Sequence, residues 1–576
     1  MIEQLTTEIL VVGAGTGGTS AAIQAARRGR RVILVGEFPW LGGMLTSAGV
    51  AAPDGNELAA WQTGMWGQFL RDLKQRQPEG LDHAWVSLFT FDPALGAQIF
   101  ADWARALPTL TWIKNQAPLE VLKSGERILG VRFPDYEIRA QITLDGTELG
   151  DLLALGEIPH RWGWDWGADY GEPSAPREPN PITQTYPVQS PTWVFLLEDY
   201  GAELAPKLDP RPGYNPALFA GAWEKYGPEK FRNYGRLPQN RYMINWPLAG
   251  NDYGRDLNRL LTPKRETFLQ EAYDHSYQFA YFLQENFGRR WGLASSAFPH
   301  PDRHPAFALH PYFRESRRLW GQVTVTEPDL LPQGQTAPLP LQDQKITSIA
   351  IGNYANDHHY PGFEFPLAPK SRRWGGRWTG TPFTVPYGAL VPRETLGFLV
   401  CEKNISVSHI ANGSTRLQPL VMNLGQSAGL AAALCVERHC DPQALPVEVL
   451  QEELLTDPQA PAAVVPFYDL PPDHPDWLNQ QRRVLNAPET YPPSALCQDT
   501  PHFLPSSAPI YSGTFFYKGE QDYRLSFQLG NRSLSACLIT ERPEVDLKLK
   551  TLRSGQHLTL HGRYNDAGSW LVVEAI

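Results

Sequence analysis

Residues Glu8–Val12 form a β-branched apolar run that enters a glycine turn, and TSAAIQAARRGRR after it holds helix formers as far as a cap at Gly29. This spacing predicts strand, turn and helix, followed by a second strand at Arg31–Val35. RILGVRF and EIRAQITLDGTELGDLL predict a hairpin over Arg127–Asp151, ending in an Asp-Gly turn and a helix. Short buried strands are expected at Leu396–Val400 and Ile405–Val407. Small and apolar residues at helical spacing then predict a long helix over Leu420–Val436, with Pro419 placed to initiate it. At the far end YRLSFQL, SLSACLI, VDLKLKTL, HLTLHGRY and WLVVEAI alternate apolar and polar positions between glycine turns. Five or six antiparallel strands closing a small OB-like barrel or sandwich are expected there.

Composition narrows the class. A chain of 576 residues corresponds to about two to four packed units, which excludes one small module. Lys+Arg 51 against Asp+Glu 61 gives a net charge of −10 with no basic run, so nucleic acid is not an expected partner. The five cysteines contain no CxxC pair, which fits a reducing compartment. No 18-residue apolar stretch is present, and the N-terminus carries acids where a signal peptide needs bases. A cytoplasmic protein without a membrane partner is expected; its oligomeric state is left open. No His, Cys or carboxylate spacing suits a metal, and none is expected.

Gly13, Gly15 and Gly18, with Thr16 and Gly17 between them, match GxGxxG in a strand–turn–helix context. The glycines permit the tight turn, close approach of a pyrophosphate and helix–strand packing, and the diphosphate then meets free helix N–H groups. Glu37 stands near the position of the ribose-binding acid, with Gly36 at the usual strand-end site.

WLGGMLTSAG, Trp40–Gly49, separates flavin from nicotinamide. Here the chain resembles the FAD-dependent oxidoreductases of the glutathione-reductase type, and within them the LGGMLTS-containing, partly xanthan-lyase-like group. Met44, Leu45, Thr46 and Ser47 stand where disulfide reductases carry a cysteine pair, which sets that subclass aside. DGTELGD, with Asp145 and Gly146, is similar to the family's ATGD-type segment, although Asp145 and Asp151 equally suit caps of a turn and a helix. The resemblance implies an α/β chain. A Rossmann-type FAD-binding domain (glutathione-reductase-like) would cover 1–155 and 380–455, with an inserted α+β substrate domain over 156–379. A Pro-rich linker over 456–506 and a small all-β C-terminal domain over 507–576 would complete it.

It also implies FAD as cofactor, held by Gly13, Gly15, Thr16, Gly17, Gly18, Glu37, Gly42, Gly43, Met44, Asp145 and Gly146, and at the start of the late helix by Gln418, Pro419 and Met422. His409 and Arg416 are the expected catalytic residues; a related His and Arg hold a substrate carboxylate in fumarate-reductase-like flavoproteins, but the gap in HIANGSTRL is longer. HPYFRESRRLWG would put Arg314 and Arg317 on one side of a helix as substrate ligands. YANDHHYPG offers Asp357, His358 and His359, and NWPLAGNDYG offers Asn251 and Asp252. No second GxGxxG marks a nicotinamide domain. The expected function is hydride transfer between bound flavin and a small organic substrate. The alternatives are a flavin-carrying binding or assembly protein and an oxygen-using tailoring monooxygenase.

Overall fold

The computed structural model describes residues 2–368, 372–374, 377–497 and 508–576. The opening apolar run is β1 (Glu3–Val12), the glycine-led helix is α1 (Thr16–Arg27), and β2 (Val32–Val35) returns beside β1. All four residues of β2 are buried, as a parallel sheet covered on both faces requires. β3 (Leu110–Ile113) extends the sheet beyond β2, while β4 (Glu120–Ser124) and β5 (Arg127–Arg132) form an antiparallel ribbon that joins β6 (Tyr136–Asp145). The expected hairpin is therefore β5–β6. β6 also runs parallel to β1, and its last residues pair with β7 (Phe398–Val400).

The registers Val12↔Val35, Val12↔Asp145 and Asp145↔Val400 bring four parallel strands to a common C-terminal edge. Four turns thus leave one side of the sheet, the side on which open α/β sheets bind ligands.

The late helix is α2 (Gln418–Arg438), buried over nearly its whole length. It is long and apolar enough to cross a membrane by composition, yet it is packed inside the protein. The contacts Gly425–Gly17 and Gly429–Ala21 rise together in sequence, so α2 lies alongside α1 in the same direction. A Cβ on Gly425 would sit 2.1 Å from the Gly17 carbonyl oxygen, and one on Gly429 would sit 2.1 Å from that of Ala21. Only glycine permits this approach.

Several elements depart from the sequence expectation. The segment Ser348–Tyr354 pairs with Thr381–Pro386, and the Ser427 hydroxyl on α2 donates to Ile349 O (2.9 Å), so the chain rejoins the flavin-domain layer before residue 380. Ile405–Val407 forms no strand beyond an isolated Val325↔Val407 bridge. HPYFRESRRLWG is extended rather than helical, ending in a pairing of Arg318–Leu319 with His160–Arg161, because Leu309–Leu319 is buried from all sides. The stretch read as a linker packs against the core: Ala463 N–H donates to Thr63 Oγ1 (2.7 Å), and Gln481, on the helix Trp477–Asn486, receives the N–H groups of Val464 and Val465. Residues 498–507 of that stretch and of the tail lie outside the described residues.

The tail is a closed five-stranded barrel. One of its strand pairs is parallel, Leu538 against Leu571, and VDLKLKTL is a helix, Pro543–Thr551, not a strand. Val545 and Leu549 are buried one turn apart while Leu547 is 63% exposed, a helical face that the alternating pattern conceals.

Candidate functional site

Gly13 follows β1 with φ +98°, and a Cβ there would lie 2.3 Å from the Gly146 carbonyl carbon. A Cβ on Gly43 would lie 2.6 Å from Thr16 N. The turn after β1, the turn after β6 and the Gly42–Gly43 pair therefore close on one another without side chains. Thr16 Oγ1 donates to Gly42 O (2.8 Å) and Thr19 Oγ1 receives Gly42 N–H (2.9 Å), fixing the glycine pair over the start of α1. A cleft of about 230 Å3 opens beside this cradle, lined by Gly13, Gly15, Glu37, Gly146, Arg265 and Arg317 among others. A Cβ on Gly36 would meet Ala14 Cβ at 2.9 Å, so the strand-end position holds no side chain and Glu37, one residue later, faces the cleft.

A buried ionic cluster adjoins the helix start. Gly17 N–H donates to Glu402 Oε2 (2.7 Å), and Lys403 bridges Glu402 and Glu148. Burial pushes the Glu402 carboxyl up to about 7 even beside Lys403, whereas Lys403 holds Glu148 below its ordinary value against the cost of burial. Asp145 is also buried and pushed up to about 7 by desolvation, offset by the Thr147 hydroxyl and N–H. Its second oxygen receives Leu152 N–H (3.2 Å), so Asp145 ties the turn after β6 to the next helix and does not line the cleft.

The second cavity lies at the start of α2. Gln418 precedes Gly425 by seven residues, so α2 begins about 10 Å beyond its contact with the first turn of α1. The backbone of Leu417 caps it without a side-chain bond, leaving N–H groups and positive dipole at that end. A polar chamber opens here, with Asp54, Tyr234, Tyr312, Arg314, Tyr354, Asp357, His359, Arg416 and Gln418 in its wall. Arg416 donates to the Tyr312 hydroxyl (2.6 Å) and to Asp357 Oδ2 (3.0 Å). His359 sits between Asp252 (2.7 Å) and Asp357 (2.9 Å). Arg314 lies 3.2 Å from Asp252 and donates to Ser190 O (2.6 Å). Despite burial, Arg314 and His359 hold Asp252 down to about 2, and His359 and Arg416 hold Asp357 well below the usual carboxylate range.

Among the described residues the chamber and the cleft share no lining residue; the Gly43–Val50 loop reaches both. Extended segment 309–314 explains the placement of its side chains. From Pro311 to Arg314 the sides alternate, Tyr312 and Arg314 to the chamber and Pro311 and Phe313 to an outer groove, the period of two that an extended chain imposes, while Leu309 and His310 both line that groove.

The expected residues separate accordingly. Gly13, Gly15, Gly43, Gly146 and Glu37 line the cleft, with Thr16, Gly17 and Gly18 in the first turn of α1. Met44 and Met422 are fully buried in the apolar core. Arg314 and Arg317, read as neighbours on one helix face, occupy different cavities, since Arg317 donates to Asp151 (3.0 Å) in the cleft. Asp357 reaches the chamber, but His358 does not: Tyr360 and Ile410 O take its ring nitrogens, and burial pushes it well below the usual imidazole range. His359 is the chamber histidine. His409 is a core residue with no exposed surface, bonded to Tyr360 (2.6 Å) and Glu315 (2.8 Å) and packed on Trp164. It does not line the chamber. Glu402, Lys403 and Tyr312 carry no motif that spacing alone reveals.

A family model described as FAD dependent oxidoreductase matches residues 8–454. The chain belongs to that family. FAD is its cofactor, and the residues fit that group. The glycine cradle at the α1 N-terminus suits the close approach of a diphosphate, and Glu37 offers a carboxylate to ribose hydroxyls. Gln418 Oε1 and Arg416 Nε, both buried without a partner at the start of α2, offer an acceptor and a donor to a ring or substrate. When bound, FAD supplies two-electron redox chemistry.

Sarcosine oxidase subunit alpha from Corynebacterium sp. (strain P-1) is 47% identical over 55 residues, 10% of this chain and 6% of that protein. The match therefore spans a small part of that relative. Among solved structures, a geranylgeranyl bacteriochlorophyll reductase-like protein from Thermoplasma acidophilum is 12% identical with a TM-score of 0.31, covering 78% of this chain and 84% of that one. An E. coli quinol fumarate reductase FrdA variant is 12% identical with a TM-score of 0.27, covering 79% and 76%.

Proposed function

We propose that this FAD-dependent oxidoreductase transfers a hydride between the flavin and a small organic substrate held in the chamber at the start of α2. The observation that carries this reading is the pair of close-packed parallel helices. α1 presents the glycine cradle, and α2 presents its own N-terminus about 10 Å farther along, a spacing suited to the diphosphate and ring of one extended cofactor. The N–H groups of α2 and the Arg416 guanidinium put positive potential where an electron-rich ring would be stabilised. Arg416 positions Tyr312 and Asp357 together, so it sets the shape of the substrate wall as well as its charge.

The test is anaerobic screening of a substrate library against the holoprotein, read as bleaching of flavin absorbance and repeated with Arg416→Ala. Bleaching by one chemical class, lost in the variant at unchanged flavin content, supports the reading. Turnover by Arg416→Ala at the wild-type kcat/KM would remove the chamber from the reaction.

A further inference from the structure

We infer that the chamber selects a cationic, hydrogen-bond-donating ligand, and hence that the substrate is a small amine bound as its ammonium ion. This rests on the chamber reading above and narrows it to one chemical class. The accessible surface of the chamber is acceptor-rich. The Asp357 side chain is 39% exposed, while the two arginines behind it are 1% and 2% exposed. The terminal nitrogens of those guanidiniums are turned to protein partners, Arg314 to Asp252 and backbone and Arg416 to Asp357 and Tyr312, and only the buried Nε of each is left without a bond.

Asp54 lines the same space, and the Tyr234 and Tyr354 rings stand close enough to Asp54 and Asp357 for both carboxylates, after burial itself, to push the phenols well above their usual range. These tyrosines therefore stay neutral and present aromatic faces and hydroxyls. Tyr312 supplies a third ring. Carboxylates set among aromatic rings recognise ammonium groups by ion pairing and cation–π attraction. An independent feature agrees: Gln418 lines the chamber, and its buried amide oxygen accepts no hydrogen bond among the described residues, so a donor on the ligand would satisfy it.

The same arrangement favours the chemistry. The bound ammonium loses one proton to solvent, and a hydride then leaves the carbon next to nitrogen, taking two electrons to the flavin. The nitrogen lone pair forms the C=N bond of an iminium cation. A carboxylate that stays ionised stabilises that cation as it stabilised the ammonium.

The experiment titrates the holoprotein with dimethylammonium chloride or with sodium acetate at matched ionic strength and follows the flavin difference spectrum. Dimethylammonium should perturb the spectrum saturably and acetate should not. Asp357→Asn should weaken the cation by about tenfold or more at unchanged FAD content. If that variant loses FAD, Asp54→Asn replaces it with the same expectation. Acetate binding as tightly as dimethylammonium, or an unchanged Kd in the variant that keeps FAD, overturns the amine assignment alone. If neither probe perturbs the flavin, the chamber is not beside the ring, and this inference and the reading beneath it fail together.

Discussion

Gly425→Ala tests whether the α1–α2 contact holds the two halves of the cofactor site in line. The new Cβ would lie 2.1 Å from Gly17 O and 2.6 Å from Gly17 Cα, both backbone atoms that no rotamer change can move. Restoring an ordinary C···O separation of about 3.3 Å requires the helices to part by about 1 Å. Overpacking by one methyl in a filled core costs roughly 1–3 kcal/mol, and backbone contact on both sides puts this site at the upper end. Alanine returns about 1 kcal/mol of helix propensity, leaving a net loss of about 2 kcal/mol. The cofactor should suffer more than the fold, because Gly17 also donates to Glu402 beside the cradle. The assay compares flavin absorbance per protein and thermal unfolding with Gly519→Ala, where a Cβ meets nothing within 4 Å. Gly425→Ala should be purified with little FAD and a lower Tm, while Gly519→Ala keeps both. Full FAD occupancy and unchanged Tm in Gly425→Ala would refute the close-contact argument.

Further outcomes follow from the same geometry. Arg416→Lys cannot reach Tyr312 and Asp357 with two arms, so kcat/KM should fall about tenfold or more at unchanged flavin content; an unchanged value would contradict its bridging role. His409→Ala removes one buried partner each from Glu315, which keeps Gln189 N–H, and from Tyr360, which keeps His358, and should destabilise the protein by roughly 1–3 kcal/mol, with turnover per bound flavin preserved. Loss of turnover in the folded holoenzyme would restore His409 to the reaction. Asp145 titrates near 7 when folded and about 4 when unfolded, so its favourable contribution is complete below about pH 4 and is lost as pH rises through 7. Denaturant midpoints of the apoprotein should fall over that window, and Asp145→Asn should flatten the fall; equal slopes would exclude it. Gly13→Ala, strained at φ +98° and blocked by Gly146, should abolish FAD binding in an equilibrium titration.

The opening βαβ unit and the late helix were legible because each combines a local pattern with glycines that have one structural use. The acid after β2 was legible only to within one residue, since the crowding of Gly36 against Ala14 comes from a turn elsewhere in the chain. Between the adjacent histidines 358 and 359, sequence offers no choice; the burial of one and the Asp252 and Asp357 partners of the other decide it. HPYFRESRRLWG carried helical spacing, yet tertiary burial on both faces drew it into an extended wall. In VDLKLKTL the period of two masked helix signals that are present: Pro543 in the first turn, acids Glu544 and Asp546 after it, and Lys548 and Lys550 near the end. Glu402 and Lys403 gain their role from Gly17 and Glu148, far away in sequence, so no local pattern could announce them.

A crystal structure of the FAD-bound protein would show directly whether α1 and α2 hold the two ends of one cofactor. The diphosphate is expected against Gly13–Gly18 and the pyrimidine edge of the ring at the N–H groups that begin α2, with Asp357 and Tyr312 across the substrate space. A ring directed into the outer groove beside Phe313, or lying away from Gln418, would contradict this placement.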